Sequence, residues 1–267
     1  MLKTNKIFLM LKPGHPPVNG VLFALTVAIL SSCGDSKPQR IVDNGIEAHG
    51  GNAYKTFHLE FDFRNRHYTA SRKGGLFSYS REFTDTTGMI KDVLNNDGLT
   101  RYRNGSVLDI TDERRQAFTR SVNSVIYFAL LPFGLNDDPV NKQWVKETII
   151  RNEPYDVVRV TFDQGGGGED HSDVFLYWFH REKHTMDYFA YSYETEGGGI
   201  RFREALNPRR IGGIIWQDYI NYKPADESIP LEDLEQMFIS GSLEKLSEIK
   251  MEKVKVSAYR EDLVLNP

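Results

Sequence analysis

Between positions 57 and 64 the chain alternates without a fault: Phe57, Leu59, Phe61 and Phe63 are apolar, while His58, Glu60, Asp62 and Arg64 are polar. A period of two places the four apolar side chains on one face of a strand and leaves the other face wet. Further strands are expected near 67–72, 77–83, 89–94, 99–103 and 106–110, because turn residues separate them at Gly74-Gly75, Thr87-Gly88, Asn96-Asp97-Gly98 and Asn104-Gly105. Connections this short favour hairpins, and hairpins build an antiparallel sheet.

The period then changes. From 112 to 131, Phe118, Val122, Val125, Ile126, Ala129 and Leu130 recur at helical spacing, and Pro132 ends the segment. The single apolar face of this helix needs an apolar surface to cover. Strand patterns resume near 144–150, 155–162, 173–180, 186–193, 200–206 and 211–222, with loops at 165–170, 180–185, 196–199 and 207–210. Ser228 and Pro230 read as the N-cap and first residue of a helix running to 240, and a last strand is expected over 249–259. Upstream, 41–49 reads as a brief helix with Ile41, Val42 and Ile46 along one side, closed by Gly50-Gly51. Hairpin strands interrupted by one amphipathic helix predict a mainly β (α+β) fold. The expected architecture is a single curved antiparallel sheet, or half-barrel, packed around the 112–131 helix as one domain over 41–260.

The first 36 residues have a different character. Lys3, Lys6 and Lys12 precede an apolar run at 21–30, and no acidic residue occurs before Asp35. That run suits the core of a signal peptide and falls short of the roughly 20 residues a permanent membrane span requires. Leu30-Ser31-Ser32-Cys33 follows directly and resembles the lipobox of bacterial lipoproteins; Cys33 is the only cysteine in the chain. Residues 1–32 are therefore expected to be a cleaved lipoprotein signal peptide and Cys33 the site of lipidation by palmitate-type acyl chains. Residues 33–40 would form a polar tether. The membrane, reached through the lipid on Cys33, is the expected partner. Gly34-Asp35 carries no marked acidic export signal, which favours an outer-membrane location facing the periplasm. Pro13, Pro16 and Pro17 suit neither a helix nor a compact leader, so Met10 is an alternative start.

Removing the leader takes three lysines and no acid, moving the formal charge from −4 to −7. That balance and the lack of a basic stripe speak against nucleic acid as a partner. With its one thiol acylated, the mature chain has none left for cysteine catalysis, thiolate zinc ligation or redox exchange.

The densest polar cluster is His171, Asp173, His180 and His184, beside Glu169 and Asp170. A metal site needs three or four such side chains converging. These flank turns, and Asp173 and His180 fall on opposite faces of one strand, so no metal is expected. His171 and Asp173 remain a possible local pair. The glycines at 165–168 lack the Lys-Ser/Thr of a phosphate loop and precede a strand rather than a helix. No Gly-x-Ser-x-Gly elbow exists, and no cofactor is implied.

Aromatic residues make up 12% of the chain and are the more informative signal. Phe175, Tyr177 and Phe179 share one strand face, with Leu176 and Trp178 on the other; Phe189, Tyr191 and Tyr193 likewise oppose Tyr188 and Ala190. Strands apolar on both faces are buried on both, here between a helix on one side and a partner or packed loop on the other. Such residues form an ordinary core or line a cavity for an apolar ligand, with tyrosine hydroxyls and Arg201 or Arg203 at its mouth. Arg201 and Arg203 share a face, placed to hold an anionic head group or to pair with Glu204 and nearby acids. The ligand-binding candidates are His171, Asp173, Tyr177, Tyr191, Arg201 and Arg203.

Five stretches carry a family resemblance: Ala48-His49-Gly50-Gly51, Tyr127-Phe128-Ala129-Leu130-Leu131-Pro132, Gly167-Gly168-Glu169-Asp170-His171-Ser172-Asp173, Asp187-Tyr188-Phe189-Ala190-Tyr191 and Gly199-Ile200-Arg201-Phe202-Arg203-Glu204. Over about 41–260 the chain resembles an uncharacterised family of Bacteroidota lipoproteins. That family is similar to the outer-membrane lipoprotein carrier (LolA-like) architecture, a curved sheet over helices with an apolar concavity. The resemblance names no established activity; its carrier-like architecture, taken with the aromatic content and the doubly apolar strands, leads us to expect a non-catalytic envelope lipoprotein that binds an apolar or amphiphilic ligand. An envelope enzyme using the His171/Asp173 region, and a protein–protein scaffold, are the alternatives.

Overall fold

Pro38 stands in the first turn of helix α1 (Lys37–His49), where a missing N–H breaks no intrahelical bond. The helix therefore starts before Ile41, and residues 37–40, expected as tether, form its first turn. The computed structural model describes residues 36–165, 172–194 and 197–259. Cys33 and the leader, as well as His171, lie outside them.

After a 3-10 turn at Gly51–Lys55 come six strands: β1 (Thr56–Phe63), β2 (Arg66–Lys73), β3 (Leu76–Asp85), β4 (Gly88–Asn95), β5 (Gly98–Arg103) and β6 (Ser106–Val107). Each pairs antiparallel with the next. Arg64-Asn65 and Asn104-Gly105 have positive φ at both turn residues, the conformation whose twist suits a two-residue hairpin. Helix α2 (Asp112–Leu130) follows, its N-terminus capped by the Thr111 hydroxyl, which accepts from the Arg114 N–H at 3.4 Å.

A second meander comprises β7 (Val140–Ile150), β8 (Glu153–Phe162), β9 (Val174–His180), β10 (Met186–Tyr193), β11 (Gly199–Ile211) and β12 (Ile214–Lys223). Then come helix α3 (Leu234–Ile239), β13 (Glu244–Ile249) and β14 (Glu252–Ser257). The strands form two seven-stranded sheets, ordered β14-β1-β2-β3-β4-β5-β6 and β13-β12-β11-β10-β9-β8-β7. The fold is mainly β, antiparallel and open, as expected; its strands form two sheets where the sequence suggested one. The crossing comes at Lys250-Met251. The expected last strand is β14, which pairs with β1, while β13, a strand the sequence did not suggest, pairs with β12.

Two further differences have local causes. The loop expected at 207–210 is a bulge inside β11, with the register shifting between Leu206 and Arg209 and Asn207 at positive φ; a bulge tolerates Pro208 where a regular ladder would not. The helix expected from Ser228 begins later, because Pro230 is extended and Ser228 is held in a turn by Asp226, whose carboxylate accepts from its N–H (2.9 Å) and hydroxyl (2.7 Å).

Three apolar layers result. On the first sheet, Leu59, Phe61, Tyr68, Ala70 and Leu94 pack against Val122, Ile126 and Leu130 of α2. Phe175, Tyr177, Phe179, Phe189 and Tyr191 of the second sheet meet Val42 of α1 together with Tyr127 and Phe128 of α2. On that sheet's far face, Leu176, Trp178, Tyr188 and Phe202 are covered by Leu231, Leu234 and Phe238. The cover for the doubly apolar strands is thus the chain's own 231–239 segment. Helix α2 is apolar on two sides rather than one, since it fills the space between both sheets. Each buried aromatic contributes roughly 1.5–3 kcal/mol relative to exposure.

Candidate functional site

Where α2 bridges the sheets, hollows remain on two of its sides: one of about 230 Å³ beside Tyr127, edged by Arg72, Asn123 and Asp137, and one on the Val125 side, where both sheets contribute apolar side chains. A cleft of about 210 Å³ lies there, lined by Phe61 and Phe63 of β1, Ser124, Val125, Phe128 and Ala129 of α2, Arg203 of β11, Tyr219 and Asn221 of β12, and Ile249 and Met251 beside β13; Arg64 stands at its edge. A second hollow of about 290 Å³ adjoins it, sharing Phe63, Arg64, Ser124 and Val125 and extending to Arg66, Tyr68 and Ser121. Alternation in β1 turns Phe61 and Phe63 inward, and the helical rise brings Val125, Phe128 and Ala129 into one wall.

The polar floor of the cleft is a cross-strand row. Phe189, Arg203 and Asn221 are register partners along β10, β11 and β12. Arg203 is 9% exposed. Its Nη2 donates to the Tyr191 hydroxyl at 2.8 Å, and its guanidinium lies over Phe128 at 4.3 Å, Tyr191 at 5.1 Å and Phe189 at 5.2 Å. Arg203 Nε and Asn221 Oδ1 are both buried without a hydrogen-bond partner. Burial raises the pKa of Tyr219 despite the opposing field of Arg203, so this phenol is neutral.

The other sequence candidates are placed differently. Arg201 donates to Glu227 and to the Tyr193 hydroxyl, both at 2.8 Å, and lies outside the cleft lining. Tyr177 is fully buried, its hydroxyl 3.3 Å from that of Tyr127, and burial pushes both phenols up, Tyr127 to about 12. Tyr191 meets the site through Arg203. Asp173 precedes β9 and its charge acts on Tyr127, away from the cleft. His171 is outside the described residues, so the pairing with Asp173 is not described either. His180 caps a turn: its Nδ1 accepts from the N–H groups of Glu182 and Lys183 at 3.1 Å, and its Nε2 meets Glu153 at 2.7 Å. Glu204, offered as a partner for the arginines, instead meets Arg151 and Tyr222 on the opposite face of β11.

Sequence reasoning did not find Val125, Phe128 and Ala129 as a wall, nor Asn221 or Met251. The helical apolar pattern was visible, but which apolar positions remain uncovered depends on where the two sheets part. Among the described residues no helix is long and apolar enough to cross a membrane.

No curated protein matches the chain. Among solved structures, a LolA superfamily protein from Nitrosomonas europaea is similar at a TM-score of 0.48 and 12% identity, covering 85% of this chain and 95% of that one. A DUF1329 family protein from Desulfovibrio piger is similar at a TM-score of 0.44 and 11% identity, covering 85% and 96%. At the level of sequence, the model of a family of unknown function, DUF6503, matches residues 19–251, and the chain belongs to that family.

Proposed function

We propose that the chain is an envelope lipoprotein, anchored through lipid on Cys33 with its folded part facing the periplasm, that binds an apolar or amphiphilic molecule in the cleft between α2 and the two sheets. One observation carries this reading: apolar side chains of both sheets and the helix meet around an open space instead of closing on one another. Apolar lining that water fills is unfavourable, and a hydrocarbon chain there gains about 0.8 kcal/mol per buried methylene. The described lining contains no His, Asp, Glu, Lys or Cys, so its one serine, Ser124, has no general base in the wall to activate it. Binding, not chemistry, is what such a wall supports.

Native mass spectrometry of the purified full chain, before and after exposure to extracted envelope lipids, tests this. Bound lipid is expected on the wild type and is expected to be lost in Ala129→Trp, which fills the cleft, with the melting transition preserved. A wild type that carries no lipid under either condition overturns the reading.

A further inference from the structure

The chemistry of the ligand is written in Arg203, a buried cation with no acid paired to it among the described residues. Resting on the cleft reading above, we propose that the ligand is an amphiphile with a single anionic group, carboxylate or phosphate. That group is seated on the Arg203 guanidinium, and the hydrocarbon runs along Phe61, Phe63, Val125 and Phe128.

A guanidinium stays charged at any physiological pH and carries five N–H donors. The other deeply buried arginines are neutralised: Arg81 and Arg101 share Asp92, at 2.6 Å and 3.5 Å. Arg201, on the same face of β11 as Arg203, has Glu227. Arg203 takes part in no ion pair among the described residues, and a single hydrogen bond, to Tyr191, is made by its five donors. The surrounding rings of Phe128, Phe189 and Tyr191 favour positive charge over their faces, yet an aromatic face does not satisfy N–H groups in the guanidinium plane. A charge held this way in a concave, apolar lining is complementary to an anion delivered with its own apolar surface.

Asn221 adds a second requirement. It is the direct β12 partner of Arg203; its Nδ2 reaches Ser247 at 3.4 Å, and its Oδ1 has no donor. An unmet acceptor beside an unmet donor suits a head group offering both, such as a phosphate monoester that retains one proton or a carboxylate next to a hydroxyl. Arg64 and Arg66, at the edge of the adjoining hollow, are exposed. Water solvates them, so they make no comparable demand for an anion, and the head group belongs at Arg203.

Calorimetric titration of the purified full chain at neutral pH with dodecanoate, dodecyl phosphate, methyl dodecanoate and inorganic phosphate reads this directly. In the wild type either or both anionic amphiphiles bind at least tenfold more tightly than the methyl ester, and the two differ according to whether the natural head group is a carboxylate or a phosphate. In Arg203→Gln that preference disappears while the ester still binds, which also shows that the cleft has formed. If Arg203→Gln loses ester binding as well, Arg203→Lys decides: retained preference for anions supports the assignment, and its absence in a variant that binds the ester overturns it. Equal binding of ester and anions by the wild type overturns the head-group assignment and leaves the apolar cleft standing. Inorganic phosphate binding as tightly as dodecyl phosphate overturns the amphiphile. Failure of all three amphiphiles removes the cleft reading itself.

Discussion

Gly45 of α1 lies directly on the ring of Phe179 in β9: a methyl group added to its Cα would fall 2.7 Å from Phe179 Cδ1 and nearer still to Cε1. The helix rests on the second sheet at this point, with Val42 and His49 buried on the same side. Gly45→Ala gains roughly 1 kcal/mol of helix propensity but forces the ring or the helix to move, an overpacking cost of about 1–3 kcal/mol. Net destabilisation and a lower urea midpoint are expected. A midpoint equal to or above that of the wild type would show that α1 is not seated this closely.

His49 is buried and neutral. Its Nε2 accepts the Met186 N–H at 2.9 Å, and Nδ1 has no partner. Burial, with a smaller contribution from the nearby Arg210 charge, holds its pKa down at about 4 against an ordinary 6.5. The unfolded chain therefore binds more protons than the folded one between those values. This contribution to stability is complete above pH 6.5 and is lost as pH falls toward 4, to the extent of about 3 kcal/mol. Asp62 and Glu153 are shifted down by cationic and histidine partners and lose their contributions only below the ordinary carboxylate range. Asp137, whose carboxyl is raised by burial, is common to the wild type and His49→Gln, so comparing their urea unfolding between pH 5 and 7 isolates the histidine. The wild type is expected to weaken toward pH 5 and His49→Gln to respond far less; parallel pH profiles would contradict this.

Asp92 is the sole carboxylate of a buried row in which Arg81, Asp92 and Arg101 are consecutive register partners across β3, β4 and β5. Arg81 also donates to Ser121 of α2 at 2.5 Å, and Arg101 stacks on Phe118 at 3.8 Å, so the row fastens the helix to the first sheet. Asp92→Asn leaves two buried guanidinium groups without a counter-charge and is expected to cost about 3–5 kcal/mol. Asp62→Asn, which breaks pairs with exposed Lys253 and His67, should cost under about 1 kcal/mol. Similar losses in the two variants would show that the buried row does not hold the helix.

Cys33 is the only thiol in the chain. Metabolic labelling with a fatty acid is expected to mark the wild type and to leave Cys33→Ser unlabelled and unprocessed. A labelled, processed Cys33→Ser chain would end the lipoprotein proposal.

Local pattern was enough for much of this molecule. Period-two alternation marked β1, two-residue turns with Gly or Asn marked the hairpins, and helical spacing before Pro132 marked α2, because each signal lies within a few consecutive residues and reflects backbone geometry alone. Where local signals were weak, the elements were missed. β13 (Glu244–Ile249) is rich in charge and largely exposed, so its strand character comes from pairing with β12 rather than from its own side chains.

The site belongs to the other category. Arg201 and Arg203 are two residues apart on one strand face and equivalent by sequence, yet Arg201 meets Glu227, 26 residues away along the chain, while Arg203 faces the gap beside α2. In the same way the apolar pattern of α2 fixed that the helix must be buried, not that Val125 and Ala129 would be left lining a cleft while Ile126 and Leu130 were covered. The sequence by itself determined strand, turn and helix, since these follow from neighbouring residues. Which charge is neutralised and which apolar face stays open was decided only in three dimensions, because both depend on partners that the crossing at Lys250-Met251 and the placing of α2 between two sheets bring together from distant parts of the chain.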